Sequence, residues 1–492
     1  MQLLDICEGA GIKCPEHLVT LEIEGITSRS YEIKDNYVFV CLKGTKNDGH
    51  SFIEDAFSRG ACAVIVENKK YLCENSILVD NTRIALSKML NVFYGEPTKK
   101  LRFIAVTGTN GKTSVSVMIK NIFETLHIPC ELIGTLNCSS FSKKTKLSQE
   151  NFTTPDPEEL YKMLHRMSDG GVELVIMEAS SHALKLHKLD PIFFDVAIFT
   201  NLTEDHLDFH CDMEDYFKSK LRLFDQCGLG IINIDDEYGK RILKHAKCKI
   251  KTCSMSQDAD YIASEVENLF ENGSKFKILY ENDELALKCN IPGRFSILNA
   301  MQSCACAIEF GIDNNIIKRS FEALKNVKGR LEKTELFKDR GFAVYMDYAH
   351  TPDALLKLLE TARSFKTEGQ RVVLLFGCGG DREKQKRKIM GGIAVSKADF
   401  VIITSDNPRS EEPLKIIDDI LSGVGENKNF TVIPDRRRAI EYAIATARKG
   451  DIILLAGKGH ENYEISSNGV QPFDEREILK DIEKQGGMKH ED

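Results

Sequence analysis

The sequence predicts an α/β protein of three domains, and three observations support this fold class. Apolar, strand-like runs alternate with helical patterns along most of the chain, which is typical of parallel sheets with crossover helices. A glycine-rich turn at 108–113 follows one such run and opens a helical pattern. The 492 residues also leave room for several domains, since a domain usually takes about 150 residues. We expect a small N-terminal α/β domain over 1–99, a central parallel-sheet domain like that of phosphate-loop (P-loop) ATPases over 100–328, and a C-terminal doubly wound, Rossmann-like domain over 329–492.

The composition argues against a nucleic-acid-binding protein and against a membrane protein. The net charge is −8 with acidic and basic residues mixed along the chain, so no basic patch predicts nucleic-acid binding. No run approaches the roughly 18 apolar residues that span a bilayer, and the first residues lack the features of a signal peptide. The 15 cysteines are scattered without a CxxC pair, which is typical of reduced core residues. We therefore expect a cytoplasmic monomer that binds neither nucleic acid nor membrane.

The N-terminal domain is predicted from short β-rich runs at 37–42, 61–67 and 76–79, which glycine and asparagine turns separate. The polar segment 95–100 then interrupts this pattern just before the strand-like run at 103–106. Because polar segments rich in turn residues mark loops and linkers, we expect the first domain to end there.

The segment 106–114, Val-Thr-Gly-Thr-Asn-Gly-Lys-Thr-Ser, predicts an ATP site. Its glycines let the backbone turn tightly and point amide hydrogens at phosphate, while Lys112 reaches the outer phosphates and the Thr113 hydroxyl can bind Mg²⁺. The N-terminus of the following helix also favours an anion. Val106 stands where the usual phosphate loop has its first glycine, so the GxxGK[ST] core is a weaker signal by itself. The expected nucleotide-binding residues are Gly108, Thr109, Asn110, Gly111, Lys112, Thr113 and Ser114.

Further polar motifs follow the strand-like runs of the central domain. Glu178 closes the run at 174–177, and His206 follows the run at 196–199. Ligands of open parallel sheets bind beyond the carboxyl ends of the strands. A carboxylate and an imidazole at neighbouring strand ends can complete a magnesium shell around ATP phosphates. Zinc is the competing metal because histidines favour it, but the many oxygen donors and the lack of an HExxH pattern favour magnesium.

The C-terminal domain repeats this arrangement of apolar runs and polar strand ends. Its strand-like runs lie at 343–346, 372–376, 400–403, 430–433 and 452–456. Polar motifs follow four of them, at 347–353, 377–382, 405–409 and 457–461.

The polar motifs, taken in the order in which they occur along nearly the whole chain, resemble those of the Mur ligase family. Within the family they resemble the ligases that add the third residue of the peptidoglycan stem peptide. The motifs that carry the resemblance are Thr27-Ser28-Arg29, Asp48-Gly49, 108–114, Thr153-Thr154-Pro155, 178–182, 201–210, Lys220, Gly329-Arg330-Leu331-Glu332, 347–353, Asp406-Asn407-Pro408-Arg409 and 457–461.

The resemblance implies where the two large substrates bind. The N-terminal domain would hold a uridine nucleotide, and the central domain would hold the muramoyl-peptide part of the same substrate. The chain has Leu186 and Lys188 where the family often has glutamine and arginine, and lysine lacks the planar donor fork of arginine. The implied contacts are Ser28, Thr45, Lys46 and Asn47 for the nucleotide, and Thr153, Thr154, Ser180 and Lys188 for the peptide.

The resemblance also completes the ATP and metal sites. Asn299 would contact adenine, Asp347 the adenosine and Arg330 a phosphate, although Ser296 stands where the family usually has another asparagine. Lys220 matches the family's carbamylated lysine, whose negative charge suits a second magnesium ion. The implied magnesium site consists of Thr113, Glu178, His206 and Lys220.

The implied reaction is an ADP-forming ligation. The terminal carboxylate of UDP-N-acetylmuramoyl-L-alanyl-D-glutamate attacks the γ-phosphate of ATP, and an amino group then displaces phosphate from the acyl phosphate. Such a reaction needs neutralised charge and alignment, which Lys112, Arg330 and magnesium supply. His350 either assists deprotonation of the amine or has a structural role in its loop.

The loop Asp406-Asn407-Pro408-Arg409 indicates which amino acid is added. A guanidinium binds a carboxylate through two parallel hydrogen bonds, and diaminopimelate has one more carboxylate than lysine. The family's meso-diaminopimelate ligases carry the same four-residue loop, whereas its lysine-adding members generally lack the arginine. By the same resemblance, Arg382, Gly457 and Glu461 complete the amino-acid pocket.

Several alternatives stay open at the level of sequence. The same ligation can use L-lysine or another diamino acid. A folylpolyglutamate synthase shares the phosphate loop but lacks a nucleotide domain of the kind expected at 1–94. A phosphate-loop switch protein would use ATP without ligating anything, and a catalytically silent relative is suggested by the departures at 186, 188 and 296.

Overall fold

The computed structural model describes residues 1–44, 47–136 and 153–487, with side chains up to 485. Its strands form three main sheets and one small hairpin. The three-domain α/β fold class predicted from the sequence is confirmed. Across the described ranges, no helix combines the length and the apolar character that a membrane span requires.

The N-terminal domain is a four-stranded parallel sheet in the order β1-β2-β3-β4. Side chains alternate between its two faces, so Val38 and Val40 pack with α1 and α3 while Phe39 packs with α2, as the strand period of two requires. Its elements are α1 (Leu3–Ala10), β1 (Gly25–Thr27), β2 (Tyr37–Val40), α2 (Ile53–Ser58), β3 (Ala61–Val66), β4 (Ser76–Leu78) and α3 (Thr82–Phe93).

The central domain is a nine-stranded sheet in the order β13-β12-β11-β10-β9-β8-β5-β7-β6. Its strands are β5 (Arg102–Thr107), β6 (Cys130–Ile133), β7 (Leu174–Glu178), β8 (Phe194–Phe199), β9 (Cys227–Asn233), β10 (Lys249–Ser254), β11 (Tyr261–Asn268), β12 (Ser274–Tyr280) and β13 (Asp283–Cys289). Its helices are α4 (Lys112–Thr125), α5 (Pro157–Asp169), α6 (Ser181–Lys185), α7 (Met213–Leu221), α8 (Glu237–Ile242), α9 (Arg294–Glu309) and α10 (Asn314–Ala323).

Strands β5 to β11 are parallel to one another, whereas β12 and β13 continue the sheet as antiparallel strands. This antiparallel extension is absent from the sequence prediction. Its strands alternate buried and exposed residues, and Phe276 and Leu287 pack with Met301 of α9. Because one face of the extension is open to solvent, it lacks the continuous apolar run that marks a buried parallel strand.

The C-terminal domain is a six-stranded sheet in the order β14-β15-β19-β16-β17-β18, in which β14 alone is antiparallel to its neighbour. Helices α11–α13 cover one face and α14 and α15 the other, which is the doubly wound arrangement. The elements are β14 (Glu332–Thr334), β15 (Ala343–Asp347), α11 (Pro352–Ser364), β16 (Val372–Phe376), α12 (Gln385–Lys397), β17 (Phe400–Ile403), α13 (Pro413–Leu421), β18 (Phe430–Val432), α14 (Arg436–Ala445), β19 (Ile452–Ala456), β20 (Tyr463–Ser466), β21 (Gly469–Pro472) and α15 (Glu475–Gly487).

Candidate active site

The glycine turn at 108–111 lies at the centre of the large sheet, because β5 runs between β8 and β7. Asn201, which follows β8, braces the turn: its Oδ1 accepts a hydrogen bond from the Asn110 amide and its Nδ2 donates to the Asn110 carbonyl, both at 3.0 Å. Gly111 has φ +88°, and a Cβ atom there would lie 2.7 Å from Oδ1 of Asn299. The turn therefore depends on glycine for both its conformation and its space.

Lys112 begins α4 and lies over the same turn. Its ammonium group donates to the carbonyl oxygens of Gly108 and Thr109, each at 2.9 Å. Burial lowers its pKa from the ordinary value, while Glu178 and Asp205 act in the opposite direction. The N-terminus of α4 and this cation are suited to a polyphosphate.

Glu178 is fully buried at the end of β7. Its Oε2 accepts hydrogen bonds from the hydroxyls of Thr113 and Thr135, both at 3.1 Å, and its Oε1 accepts from the Thr135 amide at 2.9 Å. Arg330, from the C-terminal domain, donates to the Thr113 hydroxyl at 2.9 Å. The structure thus brings Thr113, Glu178 and Arg330 together.

Lys220 and His206 lie near this group, against the ring of Tyr216. The Lys220 ammonium is 4.6 Å from the ring centroid and donates to the Gly108 carbonyl at 2.9 Å. The Tyr216 hydroxyl lies 3.2 Å from the Thr109 hydroxyl. Burial and the charge of Lys112 hold the pKa of Lys220 well below its usual value, so the neutral amine is more accessible here than in an exposed lysine.

Three histidines line the cleft in their neutral form. Desolvation in the cleft lowers the pKa of His206 to about 3, against the pull of Asp205, and lowers the pKa values of His182 and His350 to about 4. The ring of His206 meets that of His182 edge-on at 5.0 Å. The Nδ1 atom of His350 lies 2.8 Å from the Tyr348 carbonyl, which can only accept a hydrogen bond. Nδ1 therefore carries the hydrogen, and Nε2 is left as the acceptor.

The donor set around Thr113 fits magnesium. Over the described part of the chain, no group of three or more His, Cys, Asp or Glu side chains is arranged to hold a metal by itself. A magnesium ion usually takes one or two carboxylates and completes its shell with phosphate oxygens and water, and Glu178 with the Thr113 hydroxyl provides such a partial set.

The residues expected to hold the muramoyl peptide lie beside Glu178. The Thr154 hydroxyl donates to the Glu178 carbonyl at 2.8 Å and lies 3.1 Å from the Ser180 hydroxyl, and the hydroxyl of Thr153 lies 3.3 Å from that of Thr135. Ser180 also caps α6 by accepting from the Ala183 amide. These short polar side chains form one continuous wall of the cleft.

Lys188 is buried and forms an ion pair with Asp156 at 2.6 Å. Arg29, from the N-terminal domain, pairs with the other oxygen of Asp156 at 3.0 Å. Against the effect of burial, the Lys188 ammonium lowers the pKa of Asp156. The lysine that replaces the family's usual arginine thus has a specific carboxylate partner, and this partner also joins two domains.

The structure describes two of the four residues expected to contact the uridine nucleotide, Ser28 and Asn47. The amide and hydroxyl of Ser28 both donate to Oε1 of Glu158, at 3.0 and 2.6 Å, while Asn47 is exposed. The predictions for Thr45 and Lys46 lie outside the described residues.

The expected adenosine contacts come from two domains. Asn299 lies on α9 against Gly111. Asp347 ends β15, and its two oxygens accept from the amides of Leu331 and Ala349 at 2.6 and 2.8 Å. The hydroxyl of Ser296 donates to the Pro292 carbonyl at 2.8 Å, just before its own helix begins, so this residue uses its polar group locally.

The expected amino-acid pocket lies at the carboxyl ends of β17 and β19. The Asn407 amide group donates to Glu461 at 2.8 Å and its oxygen accepts from Lys458 at 3.1 Å. Burial and the charge of Asp406 raise the pKa of Glu461. Gly457 has φ +109° and leaves room for Asp406, because a Cβ atom there would lie 2.4 Å from the carboxylate.

Arg409 has φ +52°, and its guanidinium donates to the Gly380 carbonyl at 2.9 Å. The backbone carbonyl of Pro408 lies where a side chain on Gly380 would stand, so the loops after β16 and β17 are in close contact. Arg382, on the first of these loops, is exposed.

Several residues of the site were not expected from the sequence. Thr135 binds Glu178, Asp156 holds Lys188, and Lys458 holds Asn407. Thr135 follows β6, a short strand that the sequence prediction omits. A prediction of this strand would have placed Thr135 just after its carboxyl end, where site residues are expected. Lys458 is fully buried, yet a single lysine in a polar motif gives no sequence signal of burial.

Comparison with known proteins places these residues in one family. Three family profiles match the chain: "Mur ligase family, catalytic domain" at 22–94, "Mur ligase middle domain" at 106–307, and "Mur ligase, glutamate ligase domain" at 329–459. They cover the N-terminal sheet, the central site and the loops of the C-terminal sheet.

Similar proteins cover nearly the whole chain. A protein named UDP-N-acetylmuramoyl-L-alanyl-D-glutamate–2,6-diaminopimelate ligase from Caldanaerobacter subterraneus is 40% identical over 98% of this chain and 99% of its own. The protein of the same name from Clostridium tetani is 42% identical over 94% of this chain and 95% of its own. A solved structure described by that name is 29% identical, covers 99% of this chain and 100% of its own, and has a TM-score of 0.69.

Proposed function

The chain belongs to the Mur ligase family, and from this membership we propose that it joins meso-diaminopimelate to UDP-N-acetylmuramoyl-L-alanyl-D-glutamate with conversion of ATP to ADP and phosphate. One observation carries the proposal from the residues upward. The buried Glu178 and the Arg330 guanidinium meet at the Thr113 hydroxyl, beside the glycine turn that Lys112 contacts.

In the first step, the D-glutamyl carboxylate forms a bond to the γ-phosphorus of ATP as the bond to ADP breaks. Two anions must approach each other, so the site has to offset their repulsion. Lys112 and Arg330 supply positive charge from two domains, and the N-terminal amides of α4 would donate to the phosphates. The wall formed by Thr153, Thr154 and Ser180 holds the peptide beside them, with Lys188 as the nearby cation.

Magnesium would be held by Thr113 and Glu178, with His206 and a carbamylated Lys220 nearby. When bound, it neutralises phosphate charge and fixes the orientation of the phosphoryl group. Within the described ranges Glu178 is buried without an ion pair, although a buried carboxylate ordinarily requires a cation. This is the structural reason for assigning a divalent cation to this position.

In the second step, the amine of diaminopimelate forms the new bond to the acyl carbon, and the bond to phosphate breaks. Arg409 and Arg382 would bind the distal carboxylate, and Glu461 would pair with the distal ammonium. The raised pKa of Glu461 reflects burial near Asp406, and a bound ammonium would stabilise its charged form. With a pKa of about 4, His350 is neutral near pH 7, and its free Nε2 is directed by the Tyr348 contact.

Phosphate release is the direct test. The protein is incubated with ATP, magnesium and UDP-N-acetylmuramoyl-L-alanyl-D-glutamate, and then with meso-diaminopimelate, L-lysine, ornithine or lanthionine. We expect phosphate release that requires both the nucleotide peptide and meso-diaminopimelate. Equal release without an amino acid would indicate an ATP-dependent switch, and release with folate and glutamate would indicate the folylpolyglutamate synthase reaction.

The choice of amino acid is tested at Arg409. Replacing Arg409 with alanine removes a guanidinium that can bind a carboxylate in two places. We expect Arg409→Ala to raise KM for meso-diaminopimelate at least about tenfold, since a charge-assisted contact contributes about 1.5–3 kcal/mol. KM for ATP should change less than about twofold. If parent and variant show equal kinetics for meso-diaminopimelate, Arg409 does not select the substrate.

A further inference from the structure

Arg387, on α12, is the largest fully buried side chain in the described part of the chain. Its two terminal nitrogens donate to both oxygens of Glu411, at 2.9 and 2.8 Å. The first nitrogen also donates to Asp419 at 2.9 Å, and the second to the Gly379 carbonyl at 3.1 Å. One buried guanidinium is therefore bound to two carboxylates and one backbone group.

These contacts join the two loops that carry the proposed amino-acid contacts. Gly379 belongs to the loop after β16, which also contains Arg382, and Glu411 ends the loop after β17, two residues beyond Arg409. Glu411 also accepts a hydrogen bond from the Asp381 amide at 2.6 Å. The hydrogen bond with Arg387, against the opposing effect of burial, lowers the pKa of Glu411 to about 2.

The loop after β17 needs such support because Arg409, in this loop, lies in the left-handed region with φ +52°. A residue with a side chain adopts this conformation at a cost of about 1–2 kcal/mol. On one side the loop is held by Asn407 and its contacts with Lys458 and Glu461. On the other side it is held by Glu411, and by two hydrogen bonds from Ser410 to Asp381.

We propose that Arg387 and Glu411 are a positioning pair that sets the Arg409 and Arg382 guanidinium groups for the distal carboxylate of the incoming diamino acid. The proposal rests on the proposed function and assigns no contact with substrate to either residue. Its physical basis is that a binding group must be held within about 0.5 Å of its productive position by a fixed supporting shell. A bidentate arginine–carboxylate pair provides direction as well as energy.

The chain offers a matched control for this pair. Asp419 lies on α13 and contacts the same guanidinium, but it belongs to neither loop. Glu411→Gln and Asp419→Asn each remove one negative charge beside Arg387 with little change in volume. If the role of Arg387 is general stability, both variants should behave alike. If Arg387 positions the loops, the variant at Glu411 alone should change amino-acid binding.

The first measurement is steady-state kinetics of phosphate release for the parent, Glu411→Gln, Asp419→Asn and Arg387→Lys. We expect KM for meso-diaminopimelate to rise about tenfold or more in Glu411→Gln, because a displacement of about 1 Å costs up to 10²-fold. Selectivity over L-lysine should fall, while KM values for ATP and the nucleotide peptide stay within about twofold. Asp419→Asn should match the parent. Equal effects of the two carboxylate variants on KM overturn the proposal.

The second measurement needs no substrate and separates this proposal from the proposed function. Amide hydrogen exchange of 405–411 is compared among the same proteins at one pH. Faster exchange in Glu411→Gln than in Asp419→Asn supports the positioning pair even if another amino acid proves to be the substrate. Identical exchange in both overturns it, whatever the enzyme ligates. Glu411 is partly exposed, so we expect Glu411→Gln to fold even if Arg387→Lys does not.

Discussion

At the scale of single residues, the site depends on charges that the protein has partly removed from water. Burial lowers the pKa of both Lys112 and Lys220, and Glu178 is a buried carboxylate. Such groups are costly unless a ligand or a chemical modification compensates them. In the proposed function, a nucleotide and its metal would compensate Lys112 and Glu178, whereas carbamylation of the amine would compensate Lys220.

A carbamate on Lys220 makes a specific prediction about carbon dioxide. Its neutral amine can add CO₂ and release a proton, which leaves an anion at a position where a protonated lysine would be a cation. We expect activity to fall in CO₂-free buffer and to return on addition of bicarbonate. Lys220→Ala should lose activity by about 10²-fold or more, the scale of a lost electrostatic contact in an active site, and a short carboxylate such as formate should restore part of it.

The control for Lys220 is Lys218→Ala on the same helix, since the Lys218 side chain is 70% exposed and forms a long ion pair with Glu214. This variant should keep the parent's activity and its response to bicarbonate. Lys220→Arg retains the positive charge but cannot carry a carbamate, so it should be as inactive as the alanine variant. Full activity in Lys220→Arg would show that the positive charge, and not a carbamate, is what the site needs.

At the scale of secondary-structure elements, the site is built from the ends of strands. β5 lies between β7 and β8, so the glycine turn, Glu178 and Asn201 leave neighbouring strands at one edge of the sheet. The same arrangement recurs in the C-terminal sheet, where loops after β16, β17 and β19 meet. Strand ends therefore fix which residues can meet, and the turn conformations fix how they point.

The glycine turn can be tested with a pair of matched substitutions. Gly111 and Gly171 have similar φ values, +88° and +80°. A Cβ atom added to Gly111 would lie 2.7 Å from Oδ1 of Asn299, whereas a Cβ atom added to Gly171 would have no neighbour within 4 Å among the described residues. Both alanine variants should lose about 1–2 kcal/mol of unfolding free energy through backbone strain. Gly111→Ala should in addition weaken nucleotide binding at least about tenfold, because the phosphate-binding turn must shift.

Urea unfolding and calorimetric titration with ATP separate these two effects. Gly171→Ala should be destabilised yet bind ATP as the parent does. If both variants bind ATP with the parent's affinity, the conformation of the turn at Gly111 is not required for nucleotide binding.

At the scale of the whole molecule, the sequence predicts the domains better than the contacts between them. Parallel strands such as β16 and β19 are continuous apolar runs, and the motifs that follow them lie at strand ends as expected. Strands β12 and β13 escape prediction because they are half exposed. Arg387 lies between Lys386 and Lys388 in a charged helix, and its burial depends on a partner 24 residues away. Long-range pairing of this kind has no local signature.

Hydrogen bonds join the central and C-terminal domains beside the glycine turn. Arg330 donates to the Thr113 hydroxyl at 2.9 Å, and the Asn110 side chain donates to Asp353 at 2.9 Å. The Arg330 guanidinium also lies 4.8 Å from the centroid of the Tyr348 ring. A phosphate bound at Thr113 would therefore contact cations from both domains, and closure of two domains on one ligand is a common way to complete a site.

We therefore expect nucleotide binding to couple these two domains through Arg330. Adding ADP and magnesium should slow amide hydrogen exchange in 108–113 and also in 347–353, by about 5- to 150-fold, which corresponds to a coupling of about 1–3 kcal/mol. In Arg330→Ala the first segment should still be protected, because Lys112 and the turn remain, but the second should exchange as in the free protein. Strands β2 and β3 of the N-terminal domain are the internal control, since the nucleotide alone should leave their exchange unchanged. If 347–353 is protected equally in the parent and in Arg330→Ala, the hydrogen bond between Asn110 and Asp353 couples the domains without the guanidinium.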